Sequence, residues 1–340
     1  MSTPTDYKPT ILAELEVLRR LATASAAAGH FKARAYAIAI KTLTALPHIR
    51  SPADLPAPAK GDGLGKEIRA KIETICTTGH LDIPEDARQT AEALHVFQGI
   101  YGVGPKKAED LIAAGYRTLA DVRTAVTANP KLLNRNQHVG LRYYEDINSR
   151  IPRAEMDAHA ALLMSAKPAA LEGVIVGSYR RGAANSGDID MLIRTASPSE
   201  DAGAALAAYV QTLKAAGYIR EVLAQGEHKC LAVAILPDSS SSAAGGAGKM
   251  KARRLDLLVT PPEEFPFAVL YFTGSDGFNV AMRSHALTLG FTLNEHALTQ
   301  VSTGKPVKGI RSERDIFTGL RLQWREPTER TGAEACVPIA

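Results

Sequence analysis

One short segment constrains the fold more than any other, the run GSYRRGAANSGDID at residues 177–190. The apolar run LEGVIV, residues 171–176, precedes it and predicts a buried strand. A sharp turn at Gly177 and Ser178 follows, and we expect it to open a helix. Asp188 and Asp190 then lead into a second apolar strand, where residues two apart point to the same face. The two carboxylates are therefore expected to project together beside the turn.

The residue types around this turn indicate phosphate and metal chemistry. Free N–H groups at a helix start bind anions, and Arg180 and Arg181 could add bidentate contacts. Asp188 and Asp190 would repel each other unless a cation such as Mg²⁺ lay between them. Asp256, in the apolar run RRLDLLV, supplies a third carboxylate, and such a set can hold two metal ions about 4 Å apart for phosphoryl transfer. The structural alternative for an isolated D-x-D pair is a solvated strand end.

Composition places few limits beyond these. A chain of 340 residues can form two or three domains, and the net charge of +4 equals the excess of 11 Lys+Arg over 7 Asp+Glu in residues 1–80. That excess fits a surface that meets phosphates or a solvated helical face. Three cysteines without a C-x-x-C pair argue against a disulfide framework or a zinc site and favour a reducing compartment. The N-terminal residues lack the apolar core of a signal peptide, and no apolar run reaches the length of a membrane span.

Two glycine hairpins organise the first half of the chain. Residues 9–46 read as two helices broken at Gly29, and a Pro-rich connection follows at residues 51–62. Gly63-Leu64-Gly65 then opens a helix, and Gly102-Val103-Gly104 repeats the pattern about 40 residues later, with a lysine after each copy. Such a hairpin points backbone N–H groups at a DNA phosphate and leaves carbonyl groups free for a monovalent cation.

Taken together, these motifs resemble a known family. The segments GSYRRG, GDIDML, RRLDLLV, YFTGSDGFNVAMRSHALTLGFTLNEHAL, DIFTGL and WREPTER occur in the order and with the spacing of the family X DNA polymerases, over nearly the whole chain. The resemblance implies an α+β multidomain fold. Its parts would be a helical 5'-deoxyribose-phosphate lyase-like domain at residues 1–85 with the first helix-hairpin-helix, a thumb-like helical duplex-binding subdomain at 86–150 with the second, a nucleotidyltransferase palm at 151–260, and a small α/β nascent-base-pair subdomain at 261–340.

The resemblance also implies roles for individual residues in a polymerase site. Asp188, Asp190 and Asp256 would hold two Mg²⁺ ions, for which Mn²⁺ can substitute, and Arg254 would lie between these acids and the primer terminus. The residues implied to bind the incoming nucleotide are Arg150, Ser178, Arg181, Gly187, Tyr271, Phe272, Gly274, Asp276 and Asn279. The residues implied to contact DNA, or to act on closure, are Lys32, Arg34, Tyr36, Lys66, Gly63, Gly65, Gly102, Gly104, Lys106, Arg283 and Glu295.

A second activity is implied for the N-terminal domain. Lys71 occupies the position of the lysine that forms a Schiff base with 5'-deoxyribose phosphate, and Lys32, Arg34, Lys66 and Tyr36 would bind the 5'-phosphate. A cluster of cations favours the neutral amine that such a reaction needs. Within this domain, Phe31, Glu67, and His80 with Asp82 depart from the family pattern. The alternative is therefore a domain that only holds the 5'-phosphate, with Lys71 as a surface lysine.

The sequence thus predicts a template-directed DNA polymerase that fills short gaps during DNA repair. Its expected partners are gapped or nicked double-stranded DNA, dNTP and DNA repair proteins; it is expected to act as a monomer, without a membrane, inside the cell. The nucleus is the expected compartment, with the mitochondrion or a virus particle as alternatives. Rival functions are a template-independent terminal transferase, an RNA-directed nucleotidyltransferase and a noncatalytic DNA-end-binding scaffold. The Ser/Gly/Ala-rich residues 237–252 predict a flexible loop, to which we assign no role.

Overall fold

The computed structural model describes residues 5–24, 28–59, 61–197, 201–237 and 250–339. The chain divides into two compact units, Met1–Tyr144 and Glu145–Ala340. The predicted α+β class is confirmed, because the first unit is helical and the second contains a mixed sheet. None of the helices in the described ranges is long and apolar enough to cross a membrane. Residues 238–249, which make up most of the predicted flexible loop, lie outside the described residues.

The first unit is built from helices around two apolar cores. They are α1 (Lys8–Ala24), α2 (Ala28–Thr44), α3 (Lys66–Thr78), α4 (Glu85–Gln98), α5 (Pro105–Ala113), α6 (Leu119–Ala128) and α7 (Arg135–Arg142). The short helix α8 (Tyr144–Ile147) begins at the last residue of this unit and continues into the second. One core lies among α1, α2 and α3, and the other among α4, α5, α6 and α7. The predicted break at Gly29 is wrong in detail, because Gly29 lies in the first turn of α2.

The second unit begins with the elements of the sheet. They are β1 (Ile151–Pro152), α9 (Arg153–Ala166), β2 (Leu171–Ile175), α10 (Gly177–Arg180), β3 (Asn185–Ser186), β4 (Ile189–Thr195), α11 (Ala202–Ala215), β5 (Ile219–Gln225), β6 (Lys229–Ala234) and β7 (Arg253–Thr260). Five strands pair in the order β2-β4-β7-β6-β5, and β4 with β7 is the parallel pair.

The two faces of this sheet bury different elements. Met191 and Ile193 on β4 pack in a core with residues of α9 and α11. Leu192, between them, packs instead with Ala268 and Val269 of α12 (Phe265–Thr273). This alternation is the two-residue period of a strand that is buried on both faces.

The C-terminal elements form a separate core. They are α12, α13 (Asp276–Thr288), β8 (Phe291–Leu293), β9 (Leu298–Gln300) and α14 (Glu313–Gly319). Phe278 and Phe317 stack with their ring centres 6.0 Å apart, and Trp324 meets Phe317 edge-on at 4.9 Å. These aromatic contacts hold α13 against α14.

Candidate active site

The parallel pair β4–β7 brings two predicted metal-binding acids together. Asp190 and Asp256 are register partners across this pair, and Asp188 directly precedes β4. Because side chains alternate along a strand, Asp190 shares a face with Leu192, the face that packs on α12. The acids therefore lie at one end of the sheet, on the side opposite the α9–α11 core.

The predicted turn lies directly against Asp190. The backbone of Gly177 has a φ of +64°, and a Cβ atom there would lie 2.8 Å from Asp190 Oδ2. The Val176 N–H donates to the Asp190 carbonyl at 2.9 Å, which fixes the turn to β4. Only glycine fits both the backbone conformation and the space. The predicted helix after the turn is the single turn α10.

The acids carry more negative charge than their neighbours offset. Burial, together with the charges of Asp188 and Asp256, raises the pKa of Asp190 to about 7. Burial also raises the pKa of Asp256. Arg254 Nη2 lies 2.7 Å from Asp188 Oδ2, and Lys229 Nζ lies 3.3 Å from Asp256 Oδ2. Two cations thus face three carboxylates, and sequence reasoning had missed Lys229.

The carboxylates suit Mg²⁺ by chemistry but do not converge here. Hard carboxylate oxygens are the ligands that Mg²⁺ selects. Within the described residues, no group of three or more His, Cys, Asp or Glu side chains is arranged to hold a metal ion. Asp188 and Asp256 are engaged instead by Arg254 and Lys229. The two-metal site therefore stays a prediction.

Residues predicted to bind the triphosphate lie next to the acids. Arg150 donates from Nε to Asn185 Oδ1 at 2.7 Å and from Nη2 to the Asn185 carbonyl at 3.0 Å. A Cβ atom on Gly187 would lie 3.1 Å from Arg150 Nη1, so this guanidinium runs along the backbone that leads into Asp188. The Ser178 hydroxyl donates to the Ser186 hydroxyl at 3.0 Å, on the same segment.

The two arginines after the turn, Arg180 and Arg181, have different partners in this structure. The Arg180 guanidinium donates to both carboxylate oxygens of Glu313 and to the Thr273 hydroxyl. Glu313 is buried, and it also accepts from the fully buried Arg330 at 2.5 Å. Arg180 is therefore occupied by a structural ion pair. Arg181 donates to the Thr273 carbonyl at 2.6 Å.

The C-terminal residues predicted to contact the base pair lie on or beside α13. Ser275 caps this helix, so Asp276 stands in its first turn. Asn279 Nδ2 donates to the Tyr271 carbonyl at 2.8 Å. The Arg283 guanidinium lies 5.5 Å from the centre of the Tyr271 ring and donates from Nε to the Leu293 carbonyl at 3.0 Å. These contacts gather three predicted residues around the end of α12.

The remaining residues of this group complete the turn after α12. The rings of Tyr271 and Phe272 meet edge-on with their centres 5.1 Å apart. A Cβ atom on Gly274, whose φ is +65°, would lie 3.3 Å from Arg181 Nη1. Glu295 was expected to pair with an arginine on closure. Its ion-pair contact here is with Nε2 of His296, at 3.9 Å.

Comparison with known proteins decides the family. A model described as the DNA polymerase beta palm matches residues 150–262, one described as the fingers domain of DNA polymerase lambda matches 95–148, and one described as the DNA polymerase beta thumb matches 268–331. The chain belongs to the family X DNA polymerases. The label thumb goes to residues 268–331 in these models, and not to residues 86–150, to which we had given it.

Relatives of this family X chain carry the name DNA polymerase lambda. The protein from Rattus norvegicus is 32% identical over 345 residues, which cover 96% of this chain and 56% of the relative. The protein from Arabidopsis thaliana is 32% identical over 282 residues, which cover 79% of this chain and 52% of the relative. The chain thus spans about half the length of these curated relatives.

Both hairpins of this family X chain have the same backbone geometry. Gly63 and Gly102 have φ values of +72° and +82°, and Gly65 and Gly104 precede α3 and α5 as N-caps without a side-chain hydrogen bond. The first N–H groups of each helix are therefore left without a side-chain cap. The exposed Lys106 follows the second hairpin and pairs with Asp110 at 3.0 Å.

Several predicted phosphate-binding residues line one pocket beside the first hairpin. This open pocket of 290 Å³ is lined by Lys32, Ala35, Tyr36, Gly63, Gly65, Lys66, Glu67 and Ile68. Burial and the nearby charge of Glu67 raise the pKa of Tyr36. Lys71 and Arg34 are not among the lining residues. Lys71 follows Glu67 by four residues on α3 and therefore lies one helical turn from the pocket wall.

Proposed function

We propose that this family X chain is a template-directed DNA polymerase that fills short gaps during DNA repair with dNTP as substrate. The observation that carries the proposal is the register of β4 with β7, which sets Asp190 opposite Asp256 with the Gly177 turn against Asp190. The primer 3'-hydroxyl gives up its proton to solvent, and its oxygen forms a bond to the α-phosphorus. The bond from that phosphorus to the bridging oxygen breaks, and pyrophosphate leaves.

In this proposal some residues bind the metal ions and others bind and position the triphosphate. Two Mg²⁺ ions, or Mn²⁺ in their place, would be held by Asp188, Asp190 and Asp256, and when bound they would supply Lewis-acid activation of the attacking and leaving oxygens. Arg150 and Arg181 bind the triphosphate oxygens through charge-assisted hydrogen bonds. Ser178 and the backbone at Gly187 lie on the same side of the acids and add neutral contacts. Arg254 places a positive charge beside Asp188, towards the primer terminus.

The C-terminal residues select the nucleotide in this proposal. Tyr271, Phe272 and Gly274 form the wall against the sugar, where close backbone contact disfavours a 2'-hydroxyl. Asp276 packs on the incoming base, and Asn279 donates to its minor-groove edge. In the structure the amide of Asn279 is held by the Tyr271 carbonyl. The sugar wall and the base contact are therefore coupled.

DNA contacts in this proposal come from both units. The backbone N–H groups at Gly65 and Gly104 bind phosphates, Lys106 adds charge at the second hairpin, and a monovalent cation binds the hairpin carbonyls. Arg283 probes the template strand, and Glu295 pairs with an arginine on closure. The four domains predicted from the sequence, a monomeric state, repair-protein partners and a nuclear location belong to the same proposal.

Nucleotide insertion tests the polymerase. On duplex DNA with a one-nucleotide gap, the wild-type protein should insert the templated nucleotide, and Asp256→Asn should lower kcat at least ~10³-fold, because charge stabilisation by the metal ions is lost. Glu172→Gln, on the exposed pair with Arg194, is the matched control and should retain wild-type activity. Extension of single strands without a template would replace the proposal with a terminal transferase. DNA binding without any insertion would replace it with a scaffold.

The pocket beside the first hairpin favours a second activity, 5'-deoxyribose-phosphate lyase. Lys32, Tyr36 and Lys66 meet at that pocket, as binding of a 5'-phosphate requires. Lys71, one turn away, would condense with the C1 aldehyde, lose water to form a Schiff base, and release the 5'-phosphate strand by β-elimination.

Borohydride trapping tests the lyase. The wild-type protein should become covalently attached to a gap that bears 5'-deoxyribose phosphate, and Lys71→Ala should abolish trapping. Lys41→Ala, an exposed lysine in the last turn of α2, should trap as the wild type does. If the wild type inserts nucleotides but never traps, the N-terminal domain serves only to hold the 5'-phosphate.

A further inference from the structure

A buried arginine at the start of β7, the strand that carries Asp256, makes contacts that the proposed polymerase mechanism does not use. Arg253, the first residue of β7, is only 2% exposed. Its Nε and Nη2 donate to the two carboxylate oxygens of Glu155 on α9, at 2.6 and 2.8 Å. Burial acts to raise the pKa of Glu155, but the hydrogen bonds and charge of Arg253 outweigh it, and the pKa lies below its usual value.

The remaining donor group of Arg253 binds a different segment. Nη1 donates to the Asp146 carbonyl at 3.1 Å, to the Ser149 carbonyl at 2.9 Å and to the Ser149 hydroxyl at 2.8 Å. The Asp146 carboxylate in turn accepts from the Ala252 N–H at 3.0 Å. The turn at residues 146–149 is thus tied to the start of β7 by both side chain and backbone.

This turn ends at Arg150, a proposed ligand of the triphosphate. Beyond Arg150, Ile151 and Pro152 of β1 pair with Ser186 and Asn185 of β3, the segment on which the Arg150 side chain lies. The backbone of Arg150 is therefore held on one side by Arg253 and on the other by β3. Arg253 itself stands three residues before Asp256, at the start of the strand that carries the third acid.

We propose that Arg253 is a positioning residue that fixes Arg150, and hence the triphosphate, relative to the acids on β4 and β7. The proposal rests on the function proposed above. A guanidinium suits the role because its fixed fork can hold a carboxylate and a carbonyl cluster at the same time. A lysine in its place keeps the charge opposite Glu155, but its three donors leave a single nitrogen and do not span the carboxylate and the carbonyl cluster together.

A double-mutant cycle tests this role. Arg253→Lys should raise the KM for dNTP about tenfold with a smaller change in kcat, the pattern expected when substrate binding is loosened. In an Arg150→Ala background the same change should alter KM less than twofold, because the residue through which it acts is gone. Equal factors in both backgrounds, or no change in KM, would overturn the proposal.

Hydrogen exchange gives a readout that does not depend on catalysis. Amides of residues 146–151 should exchange faster in Arg253→Lys than in the wild type. In Arg194→Lys, which alters another Arg–Glu pair of the sheet, they should exchange at the wild-type rate. Unchanged exchange in Arg253→Lys would overturn the anchoring. If Arg253→Lys does not fold, the Arg253→Gln, Glu155→Gln double variant keeps a neutral hydrogen-bonded pair and takes its place in both measurements.

The two proposals can fail separately. A wild-type protein that inserts no nucleotide overturns the polymerase function and, with it, the triphosphate role of Arg150. An active wild type with equal KM factors in the two backgrounds overturns only the role of Arg253.

Discussion

The two faces of β7 differ in how fully their charged side chains are paired. On the face towards α9, Arg253 is buried, and its guanidinium donates to both oxygens of Glu155 and to acceptors of residues 146–149. On the other face, Asp256 shares its surroundings with Asp188 and Asp190, and burial and mutual repulsion raise the pKa of Asp190. A buried charge with full partners supports the fold, whereas buried charges short of partners mark a candidate ligand site.

The largest loss of stability should come from a substitution on the face of β7 towards α9. Arg253→Met should lower the free energy of unfolding by about 3 to 5 kcal/mol, because it leaves Glu155 without its charged partner. Arg254→Met, one residue along and on the open face, should cost less than about 1 kcal/mol, since its pair with Asp188 is 35% exposed on both sides. Urea unfolding measures both. Similar losses in the two variants would break the comparison.

On the sheet face that carries the acids, removal of a charge should raise the free energy of unfolding. Asp190→Asn removes a carboxylate that ionises against burial and two like charges, and should raise the free energy of unfolding by up to about 4 kcal/mol at pH 8 in chelator. The same variant should lose nucleotide insertion. A metal-free Asp190→Asn protein less stable than the wild type would show that this carboxylate supports the fold.

The buried side chain of His159 should make the free energy of unfolding depend on pH in the acid range. His159 is fully buried, its Nδ1 lies 2.8 Å from the Tyr218 hydroxyl, and burial lowers its pKa to about 4. The unfolded chain takes up this proton from about pH 6.5 downwards, so the wild type should lose about 2 kcal/mol between pH 7 and pH 4.5 on this account. His159→Gln should lose that much less in urea unfolding at the two pH values. An equal loss in both proteins would contradict the assignment.

The smallest effect belongs to Lys229. Its side chain is 48% exposed, and its ammonium lies 3.3 Å from Asp256. Solvent screens such a pair, so Lys229→Gln should lower the free energy of unfolding of the metal-free protein by less than about 1 kcal/mol. Thermal unfolding in chelator would check this, and a loss as large as that of Arg253→Met would contradict it.

Sequence reasoning predicted the face that carries the acids because strand periodicity is local. The apolar runs around Asp190 and Asp256 fix which side chains share a face, and the turn at Gly177 follows from the glycine itself. Both strands and the turn are found where the pattern placed them. The helix after the turn is a single turn, since α10 ends at Arg180.

Partners that are distant in sequence could not be predicted in the same way. Arg180 stands in a phosphate-site motif, but its guanidinium pairs with Glu313, which is 133 residues away. Arg253 and Glu155 are 98 residues apart, and no local pattern joins them. The partner of each guanidinium cannot be predicted from two neighbouring arginines in a sequence, because it depends on tertiary packing.

The parallel register of β4 with β7 has a kinetic consequence. Arg254 and Asp188 are 66 residues apart, so the acids meet only after a long loop has closed. Because closure entropy grows with the logarithm of loop length, doubling this connection would cost only about 0.6 kcal/mol. We therefore expect long insertions between the two strands to be tolerated at equilibrium, and this non-local pairing to slow folding.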